Sequence, residues 1–270
     1  MSGVPDGVPV DRSKFKHKGP TVLRGSQVDG STTDQRLLDE RGPSEWVHSD
    51  QWRVLRIQAE FVEGFGALAE LGPAIGVFGS ARTKPDNPYY AMGVELGEKL
   101  AASGFAVITG GGPGSMEAAN KGASQAGGVS VGLGIELPFE SGLNQWVDMG
   151  VNFRYFFARK TMFVKYSQGF AVLPGGLGTF DELFEALTLV QTQKVTSFPV
   201  VLIGVDYWTG LLDWIRGTVL EHGNISSKDL DMIQLTDDVD EVVATMVAAR
   251  GDHGRAPGSG HSPVEPKQPE

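Results

Sequence analysis

The chain has 270 residues, 40% of them hydrophobic and 21% charged, with a formal net charge of −10. It is long enough to bury one large core and too acidic to present the basic footprint of a general nucleic-acid binder. The absence of cysteine excludes disulfides, thiolate metal sites and a cysteine nucleophile. With neither the apolar run of a signal peptide nor the ~20 apolar residues of a membrane span, the expectation is a cytoplasmic protein with no membrane partner.

Residues 1–43 are rich in Gly, Pro, Ser, Asp and Lys and poor in large apolar side chains. They bury too little to offset the entropy of ordering them and are expected to be a disordered tail, as are residues 251–270. Between them, 44–250 reads as one domain. A leading helix over 46–71 places Val54, Ile57, Phe61, Phe65 and Leu68 on one face. A strand at 73–80, a helix at 88–103, a strand at 105–112, a helix at 114–126 and a strand at 129–135 follow. After a polar loop come helix 153–167, strand 169–176, helix 179–193, strand 198–204 and helix 207–222. A short strand near 233–235 precedes a last helix over 238–249. Strands that are nearly all apolar and alternate with helices predict an α/β fold, a doubly wound parallel sheet buried on both faces.

Such sheets bind ligands at the carboxyl ends of their strands, where the glycine clusters fall. Gly79-Ser80 ends the first strand, Gly110-Gly111-Gly112-Pro113-Gly114-Ser115-Met116 follows the second, and Pro174-Gly175-Gly176-Leu177-Gly178-Thr179 precedes a helix continuing Phe180-Asp181-Glu182. The second loop lacks the third glycine of a dinucleotide fingerprint, and no P-loop is present. The third loop suits an anion: its glycines admit a close ligand, and the N–H groups of 178–180 would point out of a helix N-terminus. A purely structural reading stands beside it, because Thr179-x-x-Glu182 has the form of a capping box.

In helix 153–167, Phe156, Phe163 and Tyr166 share a face with Arg159 among them. A guanidinium there is costly unless paired. It is either a structural ion pair or a cation aimed into the crevice that holds Glu182. The five histidines are scattered without ligand spacing, so no metal and no cofactor are expected.

The three segments Gly110 to Met116, Ala158-Arg159-Lys160 and Pro174 to Glu182 together resemble the signatures of the LOG (Lonely Guy) family. Its members are cytokinin riboside 5′-monophosphate phosphoribohydrolases, many labelled "possible lysine decarboxylase". The family pattern P-G-G-x-G-T-x-x-E is matched at every fixed position, and the resemblance spans roughly 72–250. It implies a Rossmann-like fold and hydrolysis of AMP or an N6-modified AMP to free base and ribose 5-phosphate. It also implies a homodimer or a higher oligomer built from dimers, with Arg159 and Glu182 carrying catalysis. Lys160, Thr188 and the run Gly175, Gly176, Leu177, Gly178, Thr179, Phe180 and Asp181 are the implied substrate contacts. Glu140, Gly79, Ser80, Gly112 and Met116 are further candidates. Phe156-Phe157 stand where many plant-like members have Met-His, and the leading helix is absent from the shortest members; both features fit a larger bacterial branch.

Cleavage of a ribosyl–base bond passes through an oxocarbenium-like transition state. Glu182 is assigned to stabilise that charge and supply water, the third loop to hold the phosphate, and Arg159 and Lys160 to clamp phosphate or polarise the base. The main alternative is a non-catalytic nucleotide- or cofactor-binding carrier on the same fold. A pyridoxal enzyme fits less well, since no segment shows its lysine and acidic partner.

Overall fold

Short apolar runs become central strands here because alternate side chains enter two different cores. The computed structural model describes residues 15–18, 21–24, 34–35, 45–136, 142–192 and 198–253. In chain order they form β1 (Phe15–Lys18) and β2 (Thr21–Arg24), α1 (Glu45–Leu68), β3 (Ala74–Phe78), α2 (Pro88–Ala102), β4 (Ala106–Thr109) and α3 (Ser115–Gln125). Then come β5 (Ser130–Ile135), β6 (Met149–Phe153), α4 (Phe156–Tyr166), β7 (Phe170–Val172) and α5 (Leu177–Gln191). The chain continues with β8 (Val200–Ile203), α6 (Val205–Trp214), a π-helical segment (Ile215–Leu220), α7 (Ser227–Leu230), β9 (Ile233–Thr236) and α8 (Val239–His253).

Seven strands make one parallel sheet in the order β6-β5-β4-β3-β7-β8-β9. Ile75, Val77, Val107, Ala171, Val201 and Ile203 face a core shared with Leu96 and Leu100 of α2, Ala119 and Ala123 of α3, and Val242 and Met246 of α8. Their neighbours Phe78, Ile108, Phe170, Val172, Val200 and Leu202 face the opposite core. That second core is shared with Leu68 of α1, Met162 and Phe163 of α4, Leu183 and Ala186 of α5, and Trp208 and Leu212 of α6. The doubly wound α/β expectation is therefore met. β3 lies between β4 and β7, so the order reverses there, and such a switch point opens a crevice at the strands' carboxyl ends.

Several boundaries differ from the sequence reading. Phe15–Lys18 and Thr21–Arg24 pair as an antiparallel hairpin within the stretch expected to lack regular structure; they are two short extended runs separated by two residues, a tight-hairpin spacing. Residues 149–153 form an edge strand, so the helix expected from 153 starts at Phe156. Gly150 and Asn152 are poor strand formers and concealed it, although Val151 and Phe153 alternate inward. The expected helix 207–222 passes into π geometry at Ile215, and the last helix runs on to His253.

Two helix faces also shift. On α1 the buried positions among the described side chains are Glu60, Gly64 and Leu68, while Val54 is exposed. On α4 they are Ala158, Met162 and Phe163, while Phe156 is exposed. In both cases small residues decide the face: a Cβ on Gly64 would lie 3.0 Å from the Met162 side chain.

Backbone contact also sets the α2–α3 crossing. A Cβ on Gly97 would run into the Ala119 carbonyl, and one on Gly122 into that of Val94. Gly97→Val is expected to destabilise the protein by roughly 1–3 kcal/mol or more, as overpacking does, measured by urea unfolding.

Candidate functional site

Three loops at the carboxyl ends of β3, β4 and β7 are tied by main-chain hydrogen bonds. The Ser80 N–H donates to the Pro174 carbonyl (3.0 Å), and the Ser80 carbonyl accepts from Ser115 N–H (3.0 Å). The Thr83 and Ser115 hydroxyls are 3.0 Å apart. A Cβ on Gly79 would lie 2.5 Å from that of Ser115, so glycine permits the approach. Gly79 and Ser80 thus brace the loops against one another.

The Gly110–Gly114 loop rests on a polar network that sequence reasoning missed. Thr109 donates through its hydroxyl to Asn120 Oδ1 (2.6 Å) and accepts the Gly111 N–H (2.9 Å). Asn120 Nδ2 donates to the Ser130 hydroxyl (2.8 Å). The Asn144 amide reaches the carbonyls of Gly111 (3.1 Å) and Gly112 (3.0 Å). Thr109, Asn120 and Ser130 are fully buried, so each must find partners inside the protein. The available signal was a lone Asn among the small residues of α3; its partners lie on other elements.

The third loop differs in detail from its expectation. Helix α5 starts at Leu177, with Gly176 as N-cap. The N–H groups of Thr179 and Phe180 donate to the Gly176 carbonyl (2.9 and 3.0 Å). They are therefore spent within the helix, and the outward donors are those of Gly176, Leu177 and Gly178, which have no intrahelical acceptor. The capping-box alternative fails for the same reason, because Thr179 lies inside the first turn rather than at the cap. Its buried side chain packs on Gly175, which has no room for a Cβ. The Gly175 carbonyl accepts from the Tyr207 hydroxyl (2.6 Å), another contact the sequence did not reveal. Positions 176 and 178 face open space.

Arg159 and Lys160, adjacent on α4, point to different surroundings. Arg159 Nε donates to the Leu133 carbonyl within β5 (2.7 Å), and its guanidinium carbon lies 5.2 Å from the Phe163 ring centroid. It reaches the Gly110 loop: a Cβ at Gly110 would fall 2.5 Å from its Nη2 and 2.7 Å from Met116 Sδ. Lys160 Nζ contacts Glu185 (2.7 Å), Asp181 (2.9 Å) and, more loosely, Glu182 (4.0 Å). Burial would lower the lysine pKa, yet the hydrogen bonds Lys160 donates to Glu185 and Asp181 outweigh it and hold the pKa above the usual value.

Glu182 is only 6% exposed. Burial pushes its carboxyl pKa up to about 7, against the pull of Lys160 and Arg159 and with some help from Glu185 and Asp181. An open groove of about 520 Å³ borders Lys160, Leu177, Phe180, Asp181 and Thr188, with Phe184, Glu185 and Leu189 completing its wall. Arg159 and Glu182 do not line this groove: the first faces the Gly110 loop and the second lies beneath the surface. The Thr188 hydroxyl donates to the Phe184 carbonyl (2.7 Å). Glu140 lies outside the described residues. Among the described residues no cluster of His, Asp and Glu is arranged to hold a metal ion, and no helix is long and apolar enough to cross a membrane.

A family model described as "possible lysine decarboxylase" matches residues 116–246, which include Arg159, Lys160 and Glu182. Over 160 residues the chain is 31% identical to a cytokinin riboside 5′-monophosphate phosphoribohydrolase of Mycobacterium tuberculosis, covering 56% of this chain and 82% of that protein. The chain belongs to the LOG family. A probable enzyme of the same name from Oryza sativa subsp. japonica is 28% identical over 190 residues, 68% of this chain and 81% of its own length. Among solved structures, the molybdenum cofactor carrier protein of Chlamydomonas reinhardtii superposes with a TM-score of 0.50 at 27% identity, covering 66% of this chain and 98% of that one.

The raised Glu182 pKa has a stability consequence. Between the ordinary value of 4.5 and about 7 the folded state binds more protons than the unfolded state, so stability falls as pH rises through that window and the cost persists above it. Glu182→Gln is expected to stabilise the protein by about 3 kcal/mol at pH 8 and by close to nothing at pH 4. Denaturant unfolding at the two pH values checks this.

Proposed function

We propose that the chain hydrolyses the N-glycosidic bond of a nucleoside 5′-monophosphate, with AMP or an N6-modified AMP as substrate. The observation that carries this reading is the Glu182 carboxyl, buried at the carboxyl ends of the sheet with its pKa near 7, in the fields of Arg159 and Lys160. A group of that pKa both carries negative charge and takes up a proton near neutral pH. In the proposed reaction the C1′–N bond breaks and its electron pair leaves with the base. Positive charge develops on the ribose carbon, and the Glu182 carboxylate stabilises it. A water oxygen bonds to C1′ as its proton passes to the carboxylate, and that proton then goes to the nitrogen of the departed base, restoring the carboxylate.

The outward N–H groups of Gly176, Leu177 and Gly178 hold the phosphate, aided by the helix dipole. Their attraction is local, so the net charge of −10 does not oppose it. Phosphate anchoring away from the cleaved bond spends binding energy on orientation. Arg159, fixed by Leu133 beside the Gly110 loop, faces the leaving base. Lys160 sits between the groove and Glu182, and reaches the phosphate only by leaving its carboxylate partners. The names of the Mycobacterium tuberculosis and Oryza sativa relatives support this reading.

A second reading is a non-catalytic carrier, favoured by the likeness to the molybdenum cofactor carrier protein. Such a protein would use the same phosphate-binding main chain without needing Glu182. The assembly proposed is a homodimer or a larger oligomer of dimers, supported by large exposed apolar residues such as Trp52, Val62, Phe157 and Trp214.

Product analysis with AMP, its N6-isopentenyl analogue and CMP separates the two functions. Base and ribose 5-phosphate are expected from wild type, with at least a hundredfold loss in Glu182→Gln and Arg159→Ala, on the order of one lost transition-state contact. Adenosine, lacking the phosphate, is expected to be a poor substrate. Binding of AMP without release of base by wild type would favour the carrier. Sedimentation should give at least twice the 28.9 kDa chain mass; a monomer at micromolar concentration overturns the proposed assembly.

A further inference from the structure

Helix α4 carries Arg159 and Lys160 but does not cap itself. Tyr155 occupies its N-cap in an extended conformation, with no side-chain cap bond. The N–H groups at its start are instead satisfied by carboxylates from earlier in the chain. Glu60 of α1, 2% exposed, accepts Arg154 N–H (2.9 Å) and Arg154 Nη1 (3.2 Å) on Oε1, and Tyr155 N–H (3.3 Å) on Oε2. Asp34 Oδ2 accepts the next, Phe156 N–H (3.3 Å). Three successive main-chain donors thus end on two acids that both lie outside residues 116–246, the segment the family model matches.

Anchoring α1 alone would not call for this arrangement. A buried carboxylate is costly unless it is well hydrogen-bonded, and an apolar side chain would fasten one helix to another without that cost. Burial raises the Glu60 pKa, and the bonds from Arg154 and Tyr155 oppose the rise. What the carboxylate supplies is direction, since it fixes the peptide planes at the point where α4 begins and favours the positive end of the helix. The first turn then closes through Arg159 N–H donating to the Tyr155 carbonyl (3.2 Å). Tyr155 therefore links the two ends: its N–H is held by Glu60 and its carbonyl holds the Arg159 backbone. The close packing of Gly64, one turn beyond Glu60 on α1, against Met162, about two turns into α4, keeps Glu60 in register with this start.

We propose that Glu60, with Asp34 in support, is a positioning residue that caps α4 from outside and thereby sets Arg159 against the Leu133 carbonyl and the Phe163 ring. The kinetic arm of its test rests on the hydrolase reading, whereas the spectroscopic arm does not.

The experiment uses the full chain with Glu60→Gln, Glu60→Ala, Asp34→Asn and, as a control, Glu63→Gln, an exposed acid on the same helix. Gln keeps the volume of Glu60 but turns an NH2 group toward an N–H donor. The Arg159 Nε–H resonance, assigned by its loss in Arg159→Lys, reports the bond to Leu133. AMP turnover is measured well below each variant's Tm. Glu60→Gln is expected to move that resonance toward the position of a solvated guanidinium and to lower kcat by about tenfold, as a sub-ångström misplacement does, with KM changed less than threefold. Asp34→Asn should shift both in the same direction by less, and Glu63→Gln should leave both unchanged. A folded Glu60→Gln protein whose Arg159 resonance stays in place overturns the proposal, even if its Tm falls. If Glu60→Ala or Glu60→Gln does not fold, Asp34→Asn decides on the same two readouts. If wild type cleaves no nucleotide, the hydrolase reading fails and the resonance alone judges the positioning role.

Discussion

The position of β3 between β4 and β7 is the constraint on which the site depends. Because three adjacent parallel strands end side by side, their following loops are forced together and must exchange hydrogen bonds rather than leave buried main chain unsatisfied. Ser80 does so in both directions, donating to Pro174 and accepting from Ser115. The glycines follow from the same crowding: Gly79 admits Ser115, Gly110 admits Arg159, and Gly175 admits Thr179. What remains exposed after this interlocking is the start of α5, with donors turned outward.

Charge is distributed over this frame in layers. Glu182 is deepest and has its pKa raised by burial. Lys160 lies above it, shared among three carboxylates, and Arg159 is held to one side by a backbone carbonyl. One of the contacts of Arg159 is thus to main chain, whereas Lys160 sits among acids and meets an incoming anion only in competition with them. The two adjacent basic residues therefore point into different surroundings, though they are neighbours in sequence.

Much of this was legible in the sequence where one segment sufficed. Runs such as 200–203 are wholly apolar, so both faces of the sheet had to be covered, and the glycine loops had to fall at strand ends. Arg159 stood out as a cation within an apolar stripe, the roles of Arg159, Lys160 and Glu182 came from the family resemblance, and their burial and pairing came only from the structure. Elements whose stability comes from distant partners stayed hidden. The edge strand at 149–153 carries Gly150 and Asn152 and is specified by β5. Asn120 and Asn144 look like ordinary polar residues until the Gly110 loop is folded onto them. The α1 stripe was misplaced by including Val54 and omitting Glu60, since a carboxylate at the centre of a packed face contradicts the hydrophobic period that pattern reading relies on.

The outward donors at the start of α5 are main-chain groups, and this has a consequence for how such a protein changes over generations. No exchange of side chains deletes a peptide N–H other than replacement by proline, so on the proposed function the anion-binding end of the crevice is inherited with the backbone. On the same proposal, recognition of whatever is attached to the anion, and any reaction upon it, rests on replaceable side chains such as those at 159, 160 and 182. A lineage built this way has a fixed handle and an interchangeable tool. It can alter its ligand, or cease to transform it, while continuing to grip the same end of the molecule.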